Sequence, residues 1–304
     1  MRWTAEDLPD LTGGTALVTG ANNGLGLFTA LELARRGADV ILAGRNLDKG
    51  TAALARIRSE VPDASLHWQP LDLADLASVR AAADAVTARI DGLDLLVNNA
   101  GVMMIPRQLT VDGFETQLAI NHLGHFALTG LLLPALLSRP APRVVTVASN
   151  THRQGRIDFD DLHGERTYNR SAAYAQSKLA NLVFAQELAR RAAATPLVSV
   201  AAHPGFASTG LGDSWGSGGL ANALFLKLVL RFGQPAAIGA LATLRAATEP
   251  DVTGGEYFGP TGLGGMRGHP VKVRAADRAY DEETGRRLWA ASEQLTGVTY
   301  AALD

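Results

Sequence analysis

Tyr174 and Lys178 stand four positions apart at the head of a helical pattern over residues 172–191. On a helix this spacing returns both side chains to one face. A tyrosine at its ordinary pKa of about 10 is a poor acid or base at neutrality, and a neighbouring cation stabilises its phenolate. Bringing the hydroxyl into range near pH 7 takes roughly 3–4 kcal/mol of differential stabilisation. The pair therefore suits proton transfer to or from an oxygen. A surface tyrosine beside a solvated lysine has the same spacing, so the rest of the chain must decide.

The elements that would position such a pair run through the sequence in order. A short apolar strand over 15–19 leads into Gly20-Ala21-Asn22-Asn23-Gly24-Leu25-Gly26 and then a helix ending near Gly37. Glycines let backbone approach a pyrophosphate, and the helix start supplies unpaired N–H groups. A tight turn needing glycine only for its dihedrals is the competing reading. The second strand, over 39–43, ends in Gly44-Arg45. An acid there would bind a ribose 2′-hydroxyl, whereas a guanidinium suits a 2′-phosphate. Arg45 therefore favours NADP(H), with NAD(H) possible.

A third strand over 65–69 is followed by Asp72-Leu73, where Asp72 either meets the adenine or caps the next helix, over 76–90. The fourth strand, 93–97, ends in Asn98-Asn99-Ala100-Gly101, amides suited to holding central strands and leaving backbone open to a cofactor. Residues 111–137 read as mostly helical, with Asn121 in an unfavourable interior position and His122 and His125 as packing or surface residues without metal spacing. A fifth strand, 143–148, delivers Ser149 at its C-terminal end, where open α/β sheets bind ligands. A polar insertion over 150–171 precedes the Tyr174 helix. The sixth strand, 197–201, is followed by His203-Pro204-Gly205 and Thr209. Beyond lie a glycine-rich stretch, helices over 220–232 and 234–248, a last strand over 256–258 and a short helix over 288–295.

Composition bounds the function. The 304 residues are 47% hydrophobic and 19% charged, with net charge −2 and no cysteine. That excludes disulfides, thiol catalysis and cysteine-held metals, and argues against nucleic acid as a partner. The absence of cysteine fits a reducing cytoplasm. No signal-peptide core opens the chain, and no apolar run reaches the ~18–20 residues of a membrane span. Without repeats or a low-complexity linker, a single domain is expected.

Taken together, Thr19-Gly20-x-x-x-Gly24-x-Gly26, Asn98-Asn99-Ala100-Gly101, Asn121, Ser149, Tyr174-x-x-x-Lys178 and Pro204-Gly205 resemble the short-chain dehydrogenase/reductases over about residues 12–260. Residues 155–162 and 174–191 resemble the retinol dehydrogenase branch, which is largely NADP-linked and handles bulky apolar alcohols and carbonyls. That branch shares the long insertion between Ser149 and Tyr174; no membrane anchor is expected ahead of the domain. The resemblance implies a doubly wound Rossmann fold with a parallel sheet of about seven strands.

It also implies roles. Tyr174 passes a proton as hydride moves between substrate carbon and nicotinamide, and Lys178 depresses the Tyr174 pKa and holds the nicotinamide ribose. Ser149 stabilises the developing oxyanion, and Asn121 shapes its helix and holds a water. Gly20, Asn22, Gly24 and Gly26 line the pyrophosphate, Asn98 and Gly101 the adenosine side, and Thr209 reaches the pyrophosphate or carboxamide; Asn23, Leu25, Asp72, Leu73, Ala100, Pro204 and Gly205 are further cofactor-binding residues. Partners would be an apolar alcohol, aldehyde or ketone and further copies of the chain, as homodimer or homotetramer through the helices around Asn121 and Tyr174. Residues 210–232 would form a lid. Epimerisation, C=C reduction with the same cofactor, and a non-catalytic NAD(P) sensor remain alternatives.

Overall fold

Short apolar runs between turn residues form one sheet: β1 (Thr15–Thr19), β2 (Asp39–Gly44), β3 (Leu66–Pro70), β4 (Leu95–Asn98), β5 (Arg143–Val147), β6 (Val198–Ala202), β7 (Tyr257–Pro260) and β8 (Pro270–Lys272). The spatial order is β3-β2-β1-β4-β5-β6-β7-β8. All neighbours are parallel except β7 and β8, which pair antiparallel. The computed structural model describes residues 2–206 and 233–303. Thr209 and the expected lid over 210–232 lie outside the described residues.

The central strands are buried along nearly their whole length because helices cover both faces of the sheet. On one face α1 (Gly24–Arg35), α2 (Leu47–Glu60) and α6 (Ala236–Thr248) pack with Val18, Val40 and Val145. On the other, α3 (Leu76–Thr87), α4 (Thr116–Leu137), α5 (Arg170–Arg191) and α7 (Glu282–Thr296) contribute to a layer containing Leu17, Ile41 and Leu96 or to the smaller cluster beside it. Side-chain oxygens cap several starts: Asn46 for α2, Asp75 for α3, Asn169 for α5 and Asp281 for α7. Asp75, not Asp72, is therefore the cap of α3.

The expected sheet of about seven strands has eight, the three residues of β8 being too short to leave a periodic pattern. Three expectations need correction. The helix expected from residue 111 starts at Thr116, because Glu115 caps it and Leu109 bridges Glu115 in the preceding turn. That helix, Thr116–Leu137, is long and apolar enough to cross a membrane, but 78% of its most apolar 18-residue window is buried, as in a core helix. The last helix begins at Glu282 rather than residue 288, since its charged first turn hides the amphipathic pattern.

The extended α7 also explains why α4 and α5 are so apolar. Trp289 stacks on Phe184 at 5.9 Å and meets Phe126 edge-on at 5.2 Å, while the Arg191 guanidinium lies 4.5 Å over its ring. Tyr300 donates to the Phe126 carbonyl at 2.7 Å. Part of the apolar surface of the helices that carry Asn121 and Tyr174 is thus covered within one chain.

Candidate active site

The strand order reverses between β1 and β4, where the C-terminal strand ends diverge and open α/β sheets place ligands. A cleft of about 630 Å³ opens there. One wall is the glycine turn: Gly20, Asn22, Asn23, Gly24, Leu25 and Gly26. Gly20 and Gly24 have φ of 65° and 52°, which a side chain would disfavour. Asn23 opens α1 without a side-chain cap, so the first-turn N–H groups lack that competitor for an anion. A Cβ on Gly26 would stand 2.5 Å from the Gly20 carbonyl oxygen and from Asn99 Nδ2. Gly26→Ala should therefore cost about 1–3 kcal/mol and weaken dinucleotide binding, measured by thermal denaturation and NADPH titration.

The turn is tied to β4 through Thr19. Its Oγ1 accepts from the Asn99 and Ala100 N–H groups at 2.9 and 3.0 Å, and Asn99 Nδ2 donates to the Thr19 carbonyl at 2.7 Å. Ala100 and Gly101 face the cleft. Asn98 does not. Its side chain is fully buried and donates to Thr129 Oγ1 at 3.0 Å, fastening β4 to α4. The expectation of Asn98 at the cofactor is corrected accordingly: its place on β4 turns its side chain toward α4.

At the far end of the cleft Arg45 is largely exposed and lies 4.0 Å from Asp72. Asp72 also accepts from the Ala74 N–H, and Leu73 lines the cleft beside it. Lys49, in the first turn of α2, adds a second cation to the same lining.

Ser149, Tyr174 and Lys178 meet at the opposite end. Tyr174 and Lys178 are buried, one helical turn apart on α5, with the Lys178 ammonium 6.0 Å from the phenol ring centroid. Lys178 Nζ and Asn181 Nδ2 both donate to the Val147 carbonyl at 3.0 Å, pinning α5 to the end of β5 just before Ser149. The Ser149 side chain lies beside the Tyr174 hydroxyl. Burial pushes the Tyr174 hydroxyl up to about 12, against a lowering by the Ser149 side chain. Burial also pushes Lys178 down to about 8. This corrects the expected depression of the tyrosine. In the protein alone desolvation outweighs the lysine, whose ammonium is directed at a carbonyl.

Asn121 lies in a π-turn, Ala119–Leu123, within α4. Its Nδ2 donates to the Val102 carbonyl and to Ser177 Oγ at 2.9 Å, and its Oδ1 accepts from the Val102 N–H at 2.8 Å. The unfavourable helix position is explained by this bridge between the β4 loop and α5. His125 Nδ1 donates to the Asn121 carbonyl at 3.1 Å, so Nε2 is left to accept from Thr19 Oγ1 at 2.9 Å. Burial pushes His125 down to about 4 and His122 to about 3, so both stay neutral in the interior. No group of His, Asp or Glu among the described residues could hold a metal.

Pro204 and Gly205 complete the lining next to Phe206. Sequence reasoning named Thr19 in the glycine motif without its tie to β4, and missed Lys49, Asn181 and His152. The His152 ring accepts from the Ala276 N–H at 3.1 Å and donates to the Ser149 carbonyl at 2.6 Å. Only its position three residues after Ser149 was a clue. A nicotinamide dinucleotide fits these residues: an uncapped helix start and crowded glycines at the middle, cations at one end and the Ser-Tyr-Lys set at the other.

Comparison with known proteins agrees with this architecture. The family model for short chain dehydrogenase matches residues 14–218. Human retinol dehydrogenase 13 is 42% identical over 95% of this chain and 86% of its own length. Mouse polyprenol dehydrogenase is 42% identical over 96% of this chain and 86% of its own. An uncharacterised protein from Mycobacterium paratuberculosis superposes with TM-score 0.81 at 44% identity, covering 99% of each chain. A short chain dehydrogenase from Shigella flexneri 2a, solved with NADP, superposes with TM-score 0.66 at 26% identity over 83% of this chain and 98% of that one. The chain belongs to the short chain dehydrogenase family, in its retinol dehydrogenase-like branch, and is an NAD(P)-dependent oxidoreductase acting on CH–OH and C=O groups.

Proposed function

We propose that this enzyme uses NADP(H) to interconvert bulky apolar alcohols and their carbonyl partners. The observation that carries the reading is the single cleft with Ser149, Tyr174 and Lys178 at one end and Arg45 and Lys49 at the other. When bound, the nicotinamide would give or take the hydride. Tyr174, protonated at neutral pH by its burial, would donate its hydroxyl proton to the substrate oxygen in reduction. Ser149 Oγ would hydrogen-bond that oxygen as charge develops on it. Lys178 would place positive charge beside the phenolate left behind, and Asn121 would hold the β4 loop against α5 so that the set keeps its spacing. Gly101 fits closely here, since a Cβ would stand 3.0 Å from Asn121 Oδ1 and 3.5 Å from Lys178 Nζ.

Support for NADP(H) comes from two cations without an acid at the end of β2. Arg45 is 63% exposed and shares Asp72, so its contribution is modest. Support for an apolar substrate comes from Val102, Met103, Met104, Ile120 and Phe206 in the lining, and from relatives named for retinol and polyprenol. A cytoplasmic location and a homodimer or homotetramer belong to the same proposal. They rest on the cysteine-free composition and the family resemblance.

Fluorescence titration with NADPH and NADH tests the cofactor reading. NADPH should bind more tightly, and Arg45→Ala should weaken NADPH about tenfold while leaving NADH unchanged. Equal affinity of the parent protein for both cofactors would overturn the phosphate-reading role and leave the catalytic set standing.

A further inference from the structure

Met104 is the one non-glycine residue with positive φ among the described residues, at 52°. It lines the cleft three residues after Gly101. A side chain in the left-handed region is strained, and such strain persists only where surroundings over-determine it. Here the surroundings are a hydrogen-bonded chain leading out of the cleft.

The Met104 N–H donates at 2.6 Å to Gln117 Oε1, on the first turn of α4. Gln117 is fully buried, and its Nε2 donates to Tyr168 Oη at 2.8 Å and to the Arg170 carbonyl at 3.1 Å. Every amide proton and the acceptor are thus engaged, which leaves Gln117 one orientation. Tyr168 Oη in turn lies 3.1 Å from the Ile105 carbonyl and 3.0 Å from Glu115 Oε1, sharing its proton between them. Glu115 is itself held, accepting from the Gln117 and Leu118 N–H groups while it caps α4.

Tyr168 belongs to the long insertion between Ser149 and Tyr174. That insertion is docked, not loose. Arg107 donates to the His163 carbonyl at 3.0 Å, the His163 ring stacks on Phe114 at 5.7 Å, and Gln176 Nε2 donates to the Leu162 carbonyl at 3.1 Å. One polar path therefore joins the insertion to the strained backbone beside the catalytic end of the cleft.

We propose that Tyr168, acting through Gln117, is a specificity-determining positioning residue that holds Met104 as a wall of the pocket for the apolar part of the substrate. The insertion thereby sets the width of the pocket and leaves the proton-transfer set untouched. Tyr168 touches neither Tyr174, Ser149 nor Lys178 in the hydrogen bonds of the structure, so its loss should alter how a long chain is seated and not how a proton moves.

The test combines kinetics with a thermal cycle. The kinetic arm rests on the reading of the enzyme as a carbonyl reductase. With NADPH, Tyr168→Phe should raise KM for decanal about tenfold, and leave KM for butanal, kcat and NADPH affinity within about twofold. Equal KM changes for both aldehydes, or a fall in kcat alone, would overturn the proposal. The second arm needs no turnover. Met104→Gly relieves the strain, so it should raise Tm by about 2 °C or more in the parent protein and give less in the Tyr168→Phe background, where Met104 is free to leave the left-handed region. The unfolded-state entropy of glycine is the same in both backgrounds and cancels. Additive Tm effects would sink the coupling. If neither aldehyde is turned over, the proposed function fails and the thermal cycle alone decides this inference.

Discussion

Lys178→Met should yield a protein that is inactive and more stable. Lys178 is 4% exposed, and its surroundings pull the ammonium from 10.5 to about 8. A shift of that size corresponds to about 3 kcal/mol of differential cost for the charged form. Because the folded pKa is the lower one, the unfolded chain binds more protons between about pH 8 and 10.5. Stability from this group therefore rises with pH across that window, and the full cost of the buried charge is present below it. Methionine has similar length and no charge. The Val147 carbonyl keeps Asn181 Nδ2 at 3.0 Å after the ammonium is gone. Allowing for one lost hydrogen bond, the variant should gain about 1–2 kcal/mol at pH 7. Urea denaturation at pH 7 and pH 10 should show this advantage shrinking as pH rises. A variant less stable than its parent at pH 7 would mean that Lys178 is held more favourably than its burial implies.

Tyr174→Phe should cost about 10²–10⁴-fold in turnover while leaving fold and NADPH affinity near those of the parent. The ring is buried and keeps its packing, and the change removes only the hydroxyl that meets Ser149. The same geometry predicts a pH profile. With Tyr174 pushed up to about 12, the proton donor stays loaded through the accessible range, so kcat/KM for carbonyl reduction should show no fall from tyrosine ionisation near pH 10. A decline setting in near pH 8 would instead track the Lys178 ammonium. Residual activity within tenfold of the parent for Tyr174→Phe would point to another proton donor.

Much of the site was legible because its signals are local. The glycine turn follows a strand and opens a helix within a dozen residues, and Tyr174 and Lys178 share a face by helical spacing alone. Arg45 was readable because a strand end defines where an adenosine ribose must lie. Other parts were not legible for a common reason: their partners are distant in sequence. His125 gains its role from Thr19, 106 positions away, and His152 from Ala276, 124 positions away. Asn98 and Asn99 are chemically alike, and only their places at and just beyond the end of β4 send one to Thr129 and the other to the Thr19 carbonyl before the glycine turn.

The amino-acid sequence by itself determined the order of strands and helices, the phosphate-binding turn and the Ser-Tyr-Lys set, since hydrophobic period, glycine placement and residue spacing act over short stretches of chain. Tertiary structure alone decided the proton affinities of that set, the covering of α4 and α5 by α7, and the path from Tyr168 to Met104. Desolvation depends on everything packed around a group, and a buried amide acquires an orientation only when all of its partners are in place.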